Sequence, residues 1–150
     1  MPTKTTAKVW SDEERAAMAE SARERKASAK LSPADLRKQG EKDLRGAIEK
    51  MPPDEQAMAE RLHVIVSGAA PSLAPKTYYG MPAYAREGKD GKVICFFKPK
   101  SKFKVRYSTF GFQPEAALDD GAMWPVAFAV TELTKGAEAR IGDLVKKAAG

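Results

Sequence analysis

Three stretches of the chain place apolar residues three and four positions apart, which is the spacing of one buried helix face. The first begins at Ser32-Pro33, a typical helix start, and we expect Gly40 to interrupt it. The second begins at Pro53, and Thr134 caps the third. The pattern predicts helices whose apolar faces are formed by Leu44, Ala47, Ile48 and Met51, by Met58, Leu62, Ile65, Val66 and Ala69, and by Ala137, Ile141, Leu144, Val145 and Ala148.

Between the second and third of these helices the apolar period changes to two, which is typical of β-strands. Segments that contain glycine and proline divide this region into four predicted strands, at residues 77–86, 93–97, 103–108 and 126–130. Pro82 places the first strand at an edge or at a bulge. Because short connections favour antiparallel pairing, the element order predicts an α+β, two-layer sandwich. It has a mostly antiparallel four-stranded sheet with helices packed on one face.

The beginning of the chain has a different pattern. No Leu, Ile, Val or Phe lies between Trp10 and Leu31. Ser11 begins a capping box, and we interpret residues 12–29 as a solvated, alanine-rich helical arm with little apolar surface to bury. A transit peptide is the rival interpretation, but such peptides contain few acidic residues and this segment contains several.

The length of 150 residues suits one domain with a core of its own. We therefore assign residues 1–31 to a flexible helical arm and residues 32–150 to a single α+β domain. The composition, 43% hydrophobic and 31% charged, excludes wholesale disorder. The formal net charge of +6 indicates that an anionic partner suits the surface better than a cationic one.

The chain contains one cysteine and one histidine, which limits the chemistry that it can support. Cys95 lies within an apolar strand, where we expect a core thiol, and His63 lies beside an apolar stripe, where we expect a flanking or surface position. A Cys–His pair is not excluded, but no nucleophile, base and orienting group stand at motif spacing, so the sequence predicts no catalytic residue, no metal site and no cofactor. No run of 18 apolar residues and no signal-peptide core is present, so we expect a cytoplasmic protein that does not associate with membranes.

Residues 76–84, with the sequence Lys-Thr-Tyr-Tyr-Gly-Met-Pro-Ala-Tyr, resemble the signature of the YdhG-like bacterial domain family. Further similarity lies at residues 93–97, 106–107, 118–125 and 133–147, and the arm is similar to arms of some actinobacterial members. The resemblance implies a frataxin-like α+β fold. Some members of the family are regarded as intracellular iron chaperones, which makes iron delivery one alternative function.

Two features favour a binding site. Basic residues occupy every second position from Lys98 to Arg106, which is typical either of a solvated hairpin edge or of a site for anions or nucleic acid. Aromatic residues cluster nearby, and if Tyr78 and Tyr84 share one strand face, their rings flank a shallow space with cations at its rim. The predicted ligand-binding residues are Tyr78, Tyr79, Met81, Tyr84, Lys104, Arg106 and Trp124.

The sequence thus predicts a non-enzymatic binding protein, a monomer or weak dimer, whose partner is an unknown small anionic molecule or a protein. A frataxin-like iron chaperone is the first alternative. Nucleic-acid binding through the basic hairpin is the second alternative.

Overall fold

The computed structural model describes residues 10–28 and 31–150. Its helices are α1 (Asp12–Ser28), α2 (Pro33–Glu49), α3 (Pro53–Ala69), α4 (Lys100–Phe103) and α5 (Lys135–Ala149). Its strands are β1 (Ala74–Tyr78), β2 (Met81–Ala85), β3 (Val93–Lys98), β4 (Ser108–Phe112) and β5 (Ala127–Val130). The strands form one antiparallel sheet in the order β1-β2-β3-β4-β5, so the described part of the chain is an α+β fold with a five-stranded sheet.

The prediction of four strands is wrong because residues 77–86 form a hairpin and not one strand. Tyr79 and Gly80 both have positive φ, 52° and 77°, as the two central residues of a tight hairpin turn require. The turn pairs Tyr78 with Met81 and reverses the chain. Glycine adopts this conformation without strain. Gly80 is therefore the sequence signal for the turn, and the prediction of a single strand did not take it into account.

The predicted strand at residues 103–108 is also wrong. Pro99 begins the single helical turn α4, and Lys104 ends it with a φ of 54°. The next strand therefore starts only at Ser108, whose hydroxyl accepts a hydrogen bond from the Lys100 N–H at 3.0 Å. The alternation of apolar and basic residues in this segment does not reflect half-burial, because Val105 is exposed.

The core joins α2, α3 and α5 to the sheet. Side chains from the three helices form a single cluster with strand residues that are cross-strand neighbours. The predicted helix starts at Ser32 and Thr134 are confirmed. Each side chain accepts a hydrogen bond from the backbone N–H of the residue three positions later in the chain. The largest fully buried side chains of the core are Leu44, Leu62, Val66, Ile94, Phe97, Phe110 and Val145.

Gly40 does not interrupt α2, contrary to the prediction. The helix continues through it, and the position is buried against β1. A Cβ atom at residue 40 would overlap the carbonyl oxygen of Pro75. The glycine therefore permits close approach of a helix to a strand and does not end the helix.

Helix α1 lies against the rest of the fold and is not solvated along its whole length. Its capping box is confirmed, because the Ser11 and Glu14 backbone N–H groups each donate to the other residue's side chain at 3.0 Å. Ala17 and Ser21 are buried, with 4% and 7% of their surface exposed. No helix within residues 10–28 or 31–150 combines the length and the apolar character that crossing a bilayer requires.

Candidate functional site

The predicted aromatic patch does not form, because the hairpin places its two main tyrosines on opposite faces of the sheet. Tyr78 pairs with Met81 across the turn, and residues 81 and 84 of β2 point to opposite sides. Tyr84 pairs with Cys95 and belongs to the core on the helix side. The prediction that both rings flank one space is therefore wrong.

Tyr84 is part of a buried polar network. Its hydroxyl lies 2.8 Å from His63 Nδ1, and His63 Nε2 lies 3.1 Å from Glu41 Oε2. His63 is buried, so the expectation of a flanking or surface histidine is wrong. Burial raises the pKa of Tyr84 well above its usual range. The expectation of a core thiol is confirmed for Cys95, whose pKa burial also raises.

The remaining predicted aromatic residues are half-buried, in two different places. The Tyr78 ring contacts Tyr79 edge-on, with ring centroids 4.6 Å apart, and its hydroxyl accepts a 2.6 Å hydrogen bond from Gln113 Nε2. Burial raises the pKa of Tyr78. Trp124 packs against the core on the helix side. No common surface therefore joins the predicted aromatic residues.

The two predicted cations are also separated. Lys104 Nζ pairs with Glu13 Oε2 at 2.7 Å, whereas the Arg106 guanidinium lies 5.0 Å from the centre of the Tyr107 ring. The hydrogen bond from Lys104 lowers the pKa of Glu13 and raises that of Lys104. Lys104 thus contacts the arm, and Arg106 lines a separate cleft described below.

Carboxylates of α1 accept hydrogen bonds from backbone N–H groups and from a lysine at one end of the sheet. Glu24 accepts hydrogen bonds from the backbone N–H groups of Tyr79 and Gly80, each at 3.1 Å. Glu20 pairs with Lys102 Nζ at 2.6 Å and lies where a Cβ of residue 80 would be. The absence of a side chain at Gly80 lets the arm approach the turn this closely.

The single turn α4 is held in place by a buried acid. Glu55 in the first turn of α3 accepts a 3.0 Å hydrogen bond from the Ser101 N–H and a second one from the Ser101 hydroxyl. Only 3% of the Glu55 surface is exposed. This contact fixes the segment that carries Lys102 relative to the start of α3.

These contacts enclose a cleft of about 850 Å³, which we call the arm cleft. Helices α1 and α2 each form a wall, and the start of α3, the Tyr79-Gly80 turn and α4 line the rest of the cleft. Gly46 lies on the α2 wall, and a Cβ at that position would meet no atom within 4 Å. The glycine therefore widens the middle of the cleft.

Every carboxylate that lines the arm cleft already accepts a hydrogen bond. Glu20 and Glu24 bind Lys102 and the turn, and Glu55 binds Ser101. The fourth acid, Asp43, accepts from Gln39 Nε2 at 2.8 Å. Each of the four carboxylates thus has a hydrogen-bond donor of the protein, but only Glu20 is paired with a cation of the lining, so the others keep their negative charge.

The lining contains as many cations as acids, four of each, but three of the cations have no acidic partner in the described part of the chain. Lys102 is paired with Glu20, but Arg23, Lys42 and Lys50 have no carboxylate partner in residues 10–28 and 31–150. All three are exposed. The cleft therefore presents unpaired positive charge from both of its helical walls.

A smaller cleft of about 400 Å³ lies between α3 and the start of α5. Its cations are Arg61, Lys100 and Arg106, and Arg61 is already bound to Glu138 by two hydrogen bonds of 2.8 and 2.9 Å. The acids among its lining residues outnumber the cations, and they are Asp54, Glu55, Glu132 and Glu138. The arm cleft has four acids and four cations, three of them without an acidic partner among the residues that the structure describes, and is the better candidate for an anion.

Sequence reasoning missed the residues of the arm cleft, although one signal was present. Lys42, Gly46 and Lys50 are four residues apart, which puts two lysines and a glycine on one face of α2. The contribution of Arg23 depends on the docking of α1, which no local pattern indicates.

The residues that the structure describes include no group of three or more His, Cys, Asp or Glu side chains placed to hold a metal ion. Comparisons with known protein families, with curated proteins and with solved structures found no match to this chain. The resemblance to the YdhG-like family therefore stays a prediction.

Proposed function

We propose that the protein is a non-enzymatic binding protein for a small polyanion, which it holds in the arm cleft. The observation that supports this proposal is that Arg23, Lys42 and Lys50 have no carboxylate partner among the described residues, whereas each of the four carboxylates of the lining already accepts a hydrogen bond from the protein. A ligand that brings anionic oxygens gains charge-assisted hydrogen bonds from these cations without having to displace any acid.

The dimensions of the cleft favour a ligand with more than one anionic group. A volume of about 850 Å³ is within the range of small-molecule sites. Lys42 and Lys50 are eight residues apart, so their Cα atoms are separated by about 12 Å along the helix axis. A single small anion cannot contact both lysines, whereas a diphosphate or a tricarboxylate offers separate anionic groups to the two long lysine side chains.

The proposal keeps the predicted class of ligand and changes the site. The two-layer arrangement and the relation to YdhG-like domains belong to the same proposal, and the shared core of α2, α3, α5 and the sheet supports the former. Nucleic-acid binding through residues 98–106 is less favoured, because Lys102 and Lys104 are paired with acids of the arm. Within residues 10–28 and 31–150, no feature of the geometry favours the iron-chaperone alternative.

The test is calorimetric titration of the full chain with pyrophosphate and, separately, with citrate, which distinguishes phosphate from carboxylate oxygens. We expect Lys42→Gln and Lys50→Gln each to weaken binding about tenfold, which corresponds to about 1.4 kcal/mol for one charge-assisted contact. Lys38→Gln is the matched control, because Lys38 is an exposed lysine of α2 outside the cleft.

A second pair of variants tests the location without removing charge. Gly46→Phe fills the cleft, and Gly68→Phe places the same ring on α3 away from it; at both positions a new Cβ meets no atom within 4 Å. We expect only the first variant to lose binding. Absence of binding by both probes, or equal binding by both variants, contradicts the proposal.

A further inference from the structure

Helix α1 is attached to the body by contacts that are individually weak. Ala17 and Ser21 are its buried residues among those whose side chains are described, and both side chains are small. The ion pair of Glu13 with Lys104 leaves the lysine 76% exposed, and the pair of Glu20 with Lys102 is also partly solvated. Exposed ion pairs contribute little to stability. Helix α1 is also held by the hydrogen bonds that the Tyr79 and Gly80 N–H groups donate to Glu24.

The same helix supplies part of the anion site. Arg23 lies on the α1 wall of the arm cleft, and the unpaired Lys42 and Lys50 lie on the α2 wall. An anion that contacts all three cations therefore bridges two elements that are otherwise joined by weak contacts. Such a ligand has more partners in the docked state than in the released state.

We infer that α1 is a lid over the arm cleft, which a bound polyanion locks onto the body by bridging Arg23 to Lys42 and Lys50. This inference rests on the proposed anion site. It adds a coupling: the ligand stabilises the docked arm, and by linkage the docked arm strengthens ligand binding by the same factor.

The coupling is measured by hydrogen exchange of the full chain, with and without saturating pyrophosphate or citrate. We expect exchange of the α1 amides to slow at least tenfold when the probe binds. Arg23→Gln removes this protection, whereas Lys26→Gln, an exposed cation of α1 that does not line the cleft, preserves it. Binding detected by calorimetry with unchanged α1 exchange overturns the lid and leaves the proposed function standing; absence of binding overturns both.

A second variant distinguishes a movable lid from a helix that stays docked as a static wall. The two cases predict opposite changes in the affinity for the anion. Glu24→Gln weakens the contact of α1 with the Tyr79-Gly80 turn and also removes a negative charge from the cleft. A static wall predicts that losing this charge tightens anion binding, or leaves it unchanged.

The lid predicts the opposite result, at least threefold weaker binding of the probe together with faster exchange of the α1 amides. Glu60→Gln is the control for net charge, because Glu60 is exposed on α3 and lies outside the cleft. Tighter or unchanged binding by Glu24→Gln overturns the lid.

Discussion

Helix α2 contains two glycines that the same substitution should affect in opposite directions. At Gly40 the helix lies against β1, and a Cβ would overlap the Pro75 carbonyl oxygen and come within 3.3 Å of the Lys76 Cα. At Gly46 a Cβ would meet nothing within 4 Å. Both substitutions replace glycine by alanine in the same helix, so the helix propensity changes equally. A difference between their stabilities therefore measures the steric overlap of the new Cβ atom at residue 40.

The expected magnitudes follow from two terms. Replacing glycine by alanine inside a helix is favourable by about 1 kcal/mol at either position. At Gly40 this gain is opposed by an overlap with backbone atoms, which cannot rotate away, so the helix must move from the strand. Overpacking of this kind costs up to about 3 kcal/mol. We therefore expect Gly40→Ala to lower the free energy of unfolding by about 2 kcal/mol and Gly46→Ala to raise it by about 1 kcal/mol.

Urea denaturation followed by far-UV circular dichroism measures both values, and an unchanged m-value confirms that the same transition is compared. For a chain of this size the loss at Gly40 corresponds to a fall in Tm of about 4–8 °C. If Gly40→Ala is as stable as the parent protein or more stable, the close approach of α2 to β1 is wrong. If Gly46→Ala is destabilised, the open surface at the arm cleft is wrong.

Three further predictions concern buried and paired groups. Tyr84→Phe leaves buried His63 Nδ1 without its partner, so we expect a loss of about 1–2 kcal/mol in a urea melt, and an unchanged midpoint would contradict the network. The hydrogen bonds from Arg61 lower the pKa of Glu138 from its usual range, and NMR titration should show that Arg61→Gln raises this pKa again. Because the folded pKa is lowered, stabilisation by this pair is present at neutral pH and is lost as the pH falls through the folded pKa. The Cys95 thiol, whose pKa burial raises, should react with an aromatic disulfide reagent only as fast as the protein opens, and reaction at the rate of a free thiol would contradict its burial.

The features that sequence analysis predicted correctly depend on burial of apolar side chains. The period of the helix after Pro53 and that of the helix after Thr134 correspond to α3 and α5, and the predicted strand at residues 93–97 lies within β3. In each case one face of the element has to be apolar, whatever its neighbours are. A short window of sequence is therefore sufficient to predict such an element.

The errors in the sheet have a different physical origin. At Tyr79-Gly80 the chain reverses within two residues, and aromatic residues on both sides of the turn are equally typical of one continuous strand. The assignment of every later side chain to a face depends on that turn, because a strand alternates with a period of two. One unrecognised turn was sufficient to place Tyr78 and Tyr84 on a common face that does not exist.

The docking of α1 was missed because the residues that contact each other are far apart in the sequence. Glu13, Ala17, Glu20 and Glu24 follow the spacing of a single helix face, but this face is acidic and small, so an analysis of apolar periodicity interprets it as solvated. Its complement consists of Lys102, Lys104 and the two N–H groups of a turn about 55 residues further along the chain. A carboxylate stripe predicts docking only when the donors that face it are known, and here one of them, Lys104, was assigned to a predicted strand although it ends the helical turn α4. The arm cleft exists only between α1 and the body, so the same missing contact hid both the arm and the site that we propose.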